Sequence, residues 1–314
     1  MLELLGDLGN LTNFLQSALR LSVPIAFAAL GGVLSERSGV FNIGLEGLIL
    51  MGAFGAALGT FHSGSPVVGL AVGLALGGLL ALPLAFMSVS LGVNQIVAGI
   101  AINIFALGLT AFLARIAIGE TANTQLLPGF RPLAIPLLSA IPFIGPILFN
   151  QDILVYLLYL LVALLYFVLF YTPWGLDIRA VGHNPRSCDT AGVSVSGVRY
   201  ACVLLSGALA ALGGCYLVLS QVFVFSEHMS AGKGFIALAA IILGRWSPVG
   251  AILAALLFGF FDALQLRLQF GNPEIPYQIF STLPYVVSIL ALVVFAGQNV
   301  APQAVGRHYD RESH

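Results

Sequence analysis

Residues 34–55 read LSERSGVFNIGLEGLILMGAFG, a charged turn that runs directly into an apolar stretch carrying Asn42 and Glu46. A carboxylate one turn into a membrane helix is costly in free energy, so it tends to face protein or a polar pathway rather than lipid. The composition indicates a membrane: mean hydropathy is +1.01, 59% of residues are hydrophobic and 8% are charged. Soluble domains carry about 25% charged residues. We therefore predict an integral membrane protein.

The apolar segments predict an all-α protein rather than a barrel. They are rich in Leu, Ala and Gly and lack the alternating ten-residue pattern of barrel strands. With about 20 apolar residues per span, we expect roughly nine transmembrane helices, within a range of roughly eight to ten. These lie near residues 15–34, 43–61, 66–90, 94–118, 152–171, 199–220, 234–245, 248–268 and 278–297. The seventh segment is short, and is predicted to be a half-helix or to be extended by the polar residues before it.

Two similar segments indicate an internal repeat. The first reads GVFNIGLEGLILMGA at 39–53 with SPVVG at 65–69, and the second reads GKGFIALAAIILGR at 232–245 with SPVG at 247–250. Because one span separates the halves, they are predicted to enter the membrane in opposite senses. Inverted repeats are typical of transporters, whose pathway lies between the halves beside interrupted helices. The alternative is chance similarity between two segments rich in Gly, Ala and Ile.

Two connections are longer than the rest. Residues 119–151 are rich in proline and are predicted to form an ordered cap on one face, whereas residues 172–198 are the most polar stretch. If 172–198 is cytoplasmic, alternate threading places seven basic residues inside and five outside. This is a weak positive-inside bias, and it puts the C-terminus in the cytoplasm. An odd number of spans then puts the N-terminus outside.

Several classes of function are disfavoured. The net charge of −1 argues against a nucleic-acid partner, and the three cysteines match no metal or disulfide spacing. No G-x-x-x-x-G-K-[ST] loop is present, so the chain is not expected to bind ATP by itself. We also find no Ser/His/Asp arrangement and no H-E-x-x-H motif. We expect no enzyme activity, no metal site and no cofactor in this chain.

Four blocks carry a resemblance to a known family. They are LSERSGVFNIGLEG at 34–47, NQIVAGIAIN at 94–103, GLDIRAVGHNPRSCDTAGV at 175–193 and GKGFIALAAIILGRWSPVGA at 232–251. With these blocks the chain resembles permease subunits of bacterial ABC importers of the ribose and branched-chain amino-acid permease superfamily, and most of all its purine nucleoside branch. The resemblance covers nearly the whole chain. It implies one permease domain over 1–314, with repeat one at about 11–118, a linking span at 152–171, a coupling segment at 172–198, repeat two at about 199–297 and a cytoplasmic tail at 298–314.

The resemblance implies a multi-pass protein of the plasma (inner) membrane that passes nucleosides inward by alternating access. ATP and Mg²⁺ would act on partner ABC ATPase subunits. The other implied partners are a second permease, expected to be a different chain, an extracytoplasmic substrate-binding lipoprotein, and membrane lipids. Ribose or another sugar, a branched-chain amino acid and riboflavin stay open as cargo. A channel or ion-coupled carrier is a further alternative, for which Glu46 and Asp262 are the acids placed for coupling.

An ATPase-coupling element needs to be short and rigid, and the segment 175–193 has such features. Gly175 and Gly182 allow turns, Asn184-Pro185 is a helix-start signal, and Gly192 marks the helix end. An ordinary polar loop is the alternative. The residues that we expect to carry coupling are Arg179, Gly182, Asn184, Pro185, Arg186, Asp189 and Gly192.

Polar residues in or beside the apolar spans are the candidates for a translocation path. A nucleoside is neutral and offers hydroxyl groups and base edges, which suit amide side chains. The candidates are Asn42, Glu46, Asn94, Gln95, Asn103 and Gln221. The alternatives are amides that bridge helices for about 1 kcal/mol each, and a Glu46 that pairs with Arg37 or with helix ends near the cytoplasmic surface. At the other face, Glu227, His228 and Lys233 are candidates for contact with the binding protein, or are loop charges without function.

Overall fold

The computed structural model describes residues 8–119, 125–271 and 301–310, with isolated residues between 276 and 293. The fold is helical, as predicted, with one antiparallel pair of two-residue strands. Its elements are α1 (Leu8–Arg37), α2 (Leu45–Ser63), α3 (Pro66–Ala85), α4 (Gln95–Ala117), β1 (Leu133–Ala134), α5 (Ile144–Phe149), β2 (Asn150–Gln151), α6 (Ile153–Tyr171), α7 (Pro173–His183), α8 (Pro185–Thr190), α9 (Val195–Tyr216), α10 (Lys233–Leu243) and α11 (Pro248–Gly271). Two π-helical turns, Phe86–Ser90 and Leu217–Val222, extend α3 and α9.

Seven helices in the described part of the chain are long and apolar enough to cross a membrane: α1, α2, α3, α4, α6, α9 and α11. They coincide with seven of the nine predicted spans. The short seventh segment is α10, a helix of 11 residues. The predicted span 278–297 falls largely outside the described residues. The all-α membrane class is therefore confirmed.

The centre of the bundle consists of α1, α2 and α9, which are mostly buried, and the other long helices lie around it. Glycines let these central helices approach backbone to backbone, as small residues do in membrane bundles. A methyl group added at Gly214 would lie 1.9 Å from the carbonyl oxygen of Ile49, and one at Gly52 would lie 2.3 Å from that of Ala211. The contact between α2 and α9 thus depends on the absence of side chains at these positions.

One end of the bundle is marked by α7 and α8, and we call it the α7–α8 end. The last turn of α1 lies there, because Gly182 of α7 packs on the carbonyl oxygen of Arg37. The π-helical end of α3 lies there too, since the Ser90 hydroxyl is hydrogen-bonded to that of Tyr200, near the start of α9. It follows that α2 ends, and α3 begins, at the opposite end of the bundle.

The opposite end is covered by the connection between α4 and α6. The backbone N–H groups of Leu127 and Phe130 donate to the carbonyl oxygens of Phe223 and Leu219, at 2.7 and 2.8 Å. These partners satisfy carbonyl groups at the π-helical end of α9, where the regular i−4 ladder is lost. The Gln16 side chain of α1 donates to Pro146 at 3.3 Å. For residues 125–151, the predicted ordered cap is confirmed.

The contact between α2 and α9 yields a stability prediction. Gly214→Ala is expected to destabilise the protein by about 1–3 kcal/mol, because the added methyl group overlaps the Ile49 carbonyl in a packed core. Thermal unfolding of the purified protein in detergent measures this as a lower Tm. Gly108→Ala is the control, since no atom of the described residues lies within 4 Å of the added group there. Equal Tm values for the two variants would contradict the packing described above.

Candidate translocation and coupling site

The backbone between α1 and α2 is unwound over residues 38–44, and side chains of α4 satisfy it. The N–H of Phe41 donates to the side-chain oxygen of Gln95 at 2.6 Å. Asn103 accepts from the N–H of Gly47 at 2.8 Å and donates to the carbonyl of Ile43 at 2.9 Å. Non-helical backbone at membrane depth is tolerated only where protein or water replaces the lost partners. Gln95 and Asn103 therefore support the interruption before α2.

Glu46 joins the starts of two helices. It lies in the first turn of α2, and its two carboxylate oxygens accept separately from the N–H groups of Gly232 and Gly234, at 2.8 and 2.7 Å. These N–H groups belong to the N-cap residue and the first turn of α10, where the helix dipole favours an anion. A methyl group at Gly234 would lie 2.4 Å from the backbone nitrogen of Glu46. The carboxylate therefore caps α10 while the two helix starts touch.

From this junction α2 and α10 run in opposite directions. The end of α2 lies away from the α7–α8 end, whereas α10 is followed by Trp246, which is hydrogen-bonded to the last turn of α1. With a rise of 1.5 Å per residue, α10 is about 16 Å long. This is close to half of a hydrocarbon core, which is about 30 Å thick, and it is the distance along α10 between the junction and Trp246. Glu46 bonds the start of α10, and Arg37 instead donates to the Trp246 carbonyl, so the alternative that Glu46 pairs with Arg37 is wrong. A place near the cytoplasmic surface stays a prediction.

The remaining path candidates occupy different places. Asn42 donates to the Ser206 hydroxyl at 2.9 Å, and its side-chain oxygen is buried without a partner among the described residues. The side-chain oxygen of Gln221, in the π-helical end of α9, is also buried without a partner among the described residues. Asn94 is exposed and caps α4, accepting from Ile96 at 2.9 Å. Asn42 thus bonds the unwound stretch to α9, whereas Asn94 has a capping role.

The predicted coupling segment is helical, which corrects the roles of two glycines. Gly175 and Gly182 lie inside α7 and form no turns. A methyl group at either position would lie 2.0 Å from a carbonyl oxygen, of Val168 in α6 for Gly175 and of Arg37 in α1 for Gly182. Both glycines allow α7 to pack closely on neighbouring backbone. A local turn pattern could not distinguish this use of glycine from a bend.

The start and end of α8 are as the sequence predicts. Asn184 is the N-cap and accepts from the N–H of Ser187 at 3.2 Å, with Pro185 at the first helical position. Gly192 has a φ of +85°, and the helix stops there. The Cys188 side chain lies on the buried face of α8. This burial, with the nearby Asp177 carboxylate, raises the pKa of its thiol.

The cationic residues of this segment have distinct surroundings. The guanidinium of Arg179 lies 5.3 Å from the centre of the Phe170 ring, and that of Arg37 lies 5.8 Å from the same ring. Cation–π attraction to one ring helps to hold these two like charges near each other. The side chain of Arg186 is exposed on α8, and Asp189 accepts from the Tyr309 hydroxyl. The roles of these residues in coupling stay predictions.

The sequence reading missed a clamp between α1 and the end of α10. The indole N–H of Trp246 donates to the buried Glu36 carboxylate at 2.6 Å, and Arg37 Nε donates to the Trp246 carbonyl at 2.7 Å. Arg245 and Trp246 both have φ near +55°, at 56° and 54°, which is unusual for residues other than glycine. In the sequence, the signal for this clamp is the pair of charged residues, Glu36 and Arg37, at the end of α1. Their bonds to Trp246 could not be predicted from that pair.

Charged residues also lie toward the opposite end. Glu227 forms an ion pair with Arg115 at 3.1 Å, and His228 is exposed. Lys233 is half-buried, and as the first residue of α10 it stands between the two glycines bonded to Glu46. Contact of these three residues with a binding protein stays a prediction.

Comparison with known proteins identifies the family. A family model described as "Branched-chain amino acid transport system / permease component" matches residues 14–296. The chain belongs to this permease family. It is 39% identical to the guanosine ABC transporter permease protein NupQ of Bacillus subtilis, over 92% of this permease and 93% of that protein. It is also 39% identical to the nucleoside ABC transporter permease protein NupC of Lactococcus lactis, over 96% of this chain and 98% of that one.

A third relative has a different cargo in its name. The permease is 30% identical to the glucose ABC transporter permease protein TsgB13 of Haloferax volcanii, over 83% of this chain and 72% of that protein. The family therefore includes proteins named for nucleosides and for a sugar.

The junction at Glu46 yields a prediction for the permease. Glu46→Gln removes one of the two acceptor oxygens, so one N–H of the first turn of α10 loses its charge-assisted partner at a cost of about 1–3 kcal/mol. Hydrogen exchange of peptides covering 230–238 is expected to become about tenfold to hundredfold faster. Asn94→Ala, which removes a cap from α4, is the control and is expected to leave α10 unchanged. Unchanged exchange in the Glu46 variant would refute the cap.

Proposed function

We propose that this permease is the membrane subunit of an ABC importer that carries nucleosides into the cell by alternating access. The observation that carries the proposal is the 39% identity to two permeases named for guanosine and nucleosides, each over more than 90% of both chains. In this proposal the protein is a single permease domain in the plasma membrane. The α7–α8 end and the C-terminus face the cytoplasm.

The junction of α2 and α10 supports a path between two inverted repeats. Both helices follow an interruption and precede a Ser-Pro that begins a long helix, at Ser65-Pro66 and Ser247-Pro248. They start at one point and run to opposite ends, as two repeats of opposite sense would. We place the repeats at about 11–118 and 199–297, as the sequence predicts. The path would pass beside Glu46 and Asn42. The amide oxygen of Asn42, which has no partner in the described part of the chain, is an acceptor for a ribose hydroxyl or a base N–H.

A continuous series of contacts connects the α7–α8 end to this path. Gly182 of α7 touches the Arg37 carbonyl, Arg37 and Glu36 hold Trp246, and α10 leads from there to Glu46. Because a helix of 11 residues is stiff, movement at its end is passed to its start. Closure of a partner ATPase on α7 and α8 would thus shift the two helix starts beside the path.

The proposal requires other subunits. ATP and Mg²⁺ would be bound by the partner ATPase, and a second permease, a different chain, would complete the path. An extracytoplasmic lipoprotein would deliver the nucleoside near Glu227 and His228, at the end opposite to α7 and α8. Most of the substrate affinity would lie in that lipoprotein.

A sugar is the second candidate cargo, because one relative with 30% identity is named for glucose. Sugars and nucleosides both carry sugar hydroxyl groups, so amide side chains in the path could bind the hydroxyl groups of a sugar or of a nucleoside.

Uptake of labelled guanosine decides the cargo. Cells that lack this gene are expected to lose uptake, and in wild-type cells excess adenosine is expected to block it while ribose, glucose, leucine and riboflavin do not. Complementation with the intact gene is the control for polar effects of the deletion. If the deletion strain keeps nucleoside uptake and loses that of one competitor, the cargo assignment is wrong.

The contact of α7 with α1 predicts an uncoupled variant. Gly182→Ala places a methyl group 2.0 Å from the Arg37 carbonyl, so α7 must move away from α1. A clash of this kind costs about 1–3 kcal/mol, so uptake is expected to fall about tenfold at equal membrane levels of the protein. Gly78→Ala adds the same group where no described atom lies within 4 Å, and is expected to transport normally. Normal transport by Gly182→Ala would remove the contact from the coupling route.

A further inference from the structure

Residues 301–310, which we call the tail, lie across the α7–α8 end and bond three helices. The N–H of Ala304 donates to the Gly182 carbonyl at the end of α7, at 2.9 Å. The Tyr309 hydroxyl donates to the Asp189 carboxylate of α8 at 3.0 Å. Arg199 Nη1 of α9 donates to the carbonyl of residue 307 at 3.1 Å. The tail therefore contacts both helices of the proposed ATPase-docking segment.

Arg199 extends this set of bonds to the unwound stretch before α2. Its side chain is 1% exposed, and its Nε donates to the Ser38 carbonyl at 3.3 Å. A planar guanidinium holds its acceptors in a fixed relation, and burying its charge is costly unless those bonds are kept. One buried side chain thus fixes the tail relative to residue 38, at the beginning of the 38–44 stretch.

The residues around Arg199 are closely packed. Gly39 has a φ of +94°, and a methyl group there would lie 2.9 Å from Arg199 Nη2 and 3.3 Å from the Ala304 carbonyl oxygen. Ala304 is buried. The turn, the guanidinium and the tail therefore touch one another directly.

The tail also packs against α8 through an apolar contact. The Tyr309 ring packs against an apolar cluster formed by Val181 of α7, Cys188 of α8 and Val195 of α9. A helix of six residues has little stability of its own and keeps its position only through tertiary contacts. Tyr309 provides α8 with both an apolar contact and a hydrogen bond.

We propose that the tail is a second connection between the ATPase-docking helices and the unwound stretch, with Arg199 and Tyr309 as its positioning residues. Movement of α8 would pass through Tyr309 to the tail, and from residue 307 through Arg199 to Ser38 and the stretch that carries Asn42. This route is independent of α10. The proposal rests on the proposed function, because it assumes that a partner ATPase docks on α7 and α8.

The first experiment measures coupling in the complete transporter. The permease is reconstituted in proteoliposomes with its partner permease, ATPase and binding protein, and guanosine uptake and ATP hydrolysis are measured together. Tyr309→Phe keeps the ring and removes the hydrogen bond to Asp189. The amount of guanosine transported per ATP hydrolysed is expected to fall about two- to tenfold, as for the loss of one hydrogen bond, while hydrolysis continues. Gln303→Ala, an exposed tail position, is the matched control.

Two further variants separate positioning from folding. Arg199→Lys keeps the charge but cannot hold two carbonyls in the guanidinium geometry, so it is expected to lower the same ratio. A chain that ends at residue 300 lacks the tail and is expected to lower it further. A parallel fall of uptake and hydrolysis, with less assembled complex, would overturn the proposal in favour of a purely structural tail. An unchanged ratio would also overturn it.

Hydrogen exchange tests the connection without any cargo. In the purified permease, Tyr309→Phe is expected to speed exchange of peptides covering 38–44, which lie far from residue 309 in sequence, and Gln303→Ala is not. Unchanged exchange would show that the tail does not reach the unwound stretch. If wild-type proteoliposomes transport no guanosine, the proposed function fails, and the exchange result still decides the connection.

Discussion

The two hydrogen bonds of the Glu46 carboxylate are the interaction on which the junction of α2 and α10, and the route of contacts that reaches it through α10, depend. A helix that starts inside a membrane exposes backbone N–H groups that neither water nor a preceding turn can satisfy. Two such starts meet here, and one carboxylate in the first turn of α2 serves the first turn of α10. The two charge-assisted hydrogen bonds offset the cost of placing a carboxylate in the bundle, and they also satisfy the N–H groups at the start of α10. Both the acid and the interruption are tolerated because they occur together.

The short helix α10 is held at both of its ends by residues of the first half of the chain. Glu46 bonds its first turn, and Glu36 and Arg37 hold the residue that follows its last turn. The two successive left-handed residues at its end are kept in place by these bonds. Because α7 packs on Arg37, the α7–α8 end is connected to Glu46 through Arg37, Trp246 and α10. The tail adds contacts at the same end without using α10.

Hydropathy and helix-end signals gave the elements of this fold correctly where local chemistry decides them. Seven spans, the short α10, and the start and end of α8 all follow from apolar length, proline, asparagine and glycine. Glycine inside α7 was misread as a turn signal, because a close backbone contact and a bend have the same local pattern. The partner that removes the room for a side chain, Arg37, lies far away in the sequence.

The candidate site was predictable in its members but not in its bonds. Polar residues in apolar spans are costly, and this singled out Glu46, Asn42, Gln95 and Asn103, which meet around the unwound stretch. Their partners are mainly backbone groups, which leave no trace in side-chain identity. The same reason hides the tail: the bonds at Ala304 and at residue 307 use main-chain atoms, and a tail of ten residues has no hydropathy signal.

The sequence separation of Glu46 and Gly232, which is 186 residues, has a consequence for synthesis of the protein. An 11-residue helix is too short to be inserted as an independent spanning segment. When α10 leaves the ribosome, α1 and α2 have long been made, and the carboxylate that its first turn needs is already present. The order of the two halves in the sequence thus means that the first half is already present when α10 is inserted. A circularly permuted chain that starts after α9 would have to insert α10 before its cap exists.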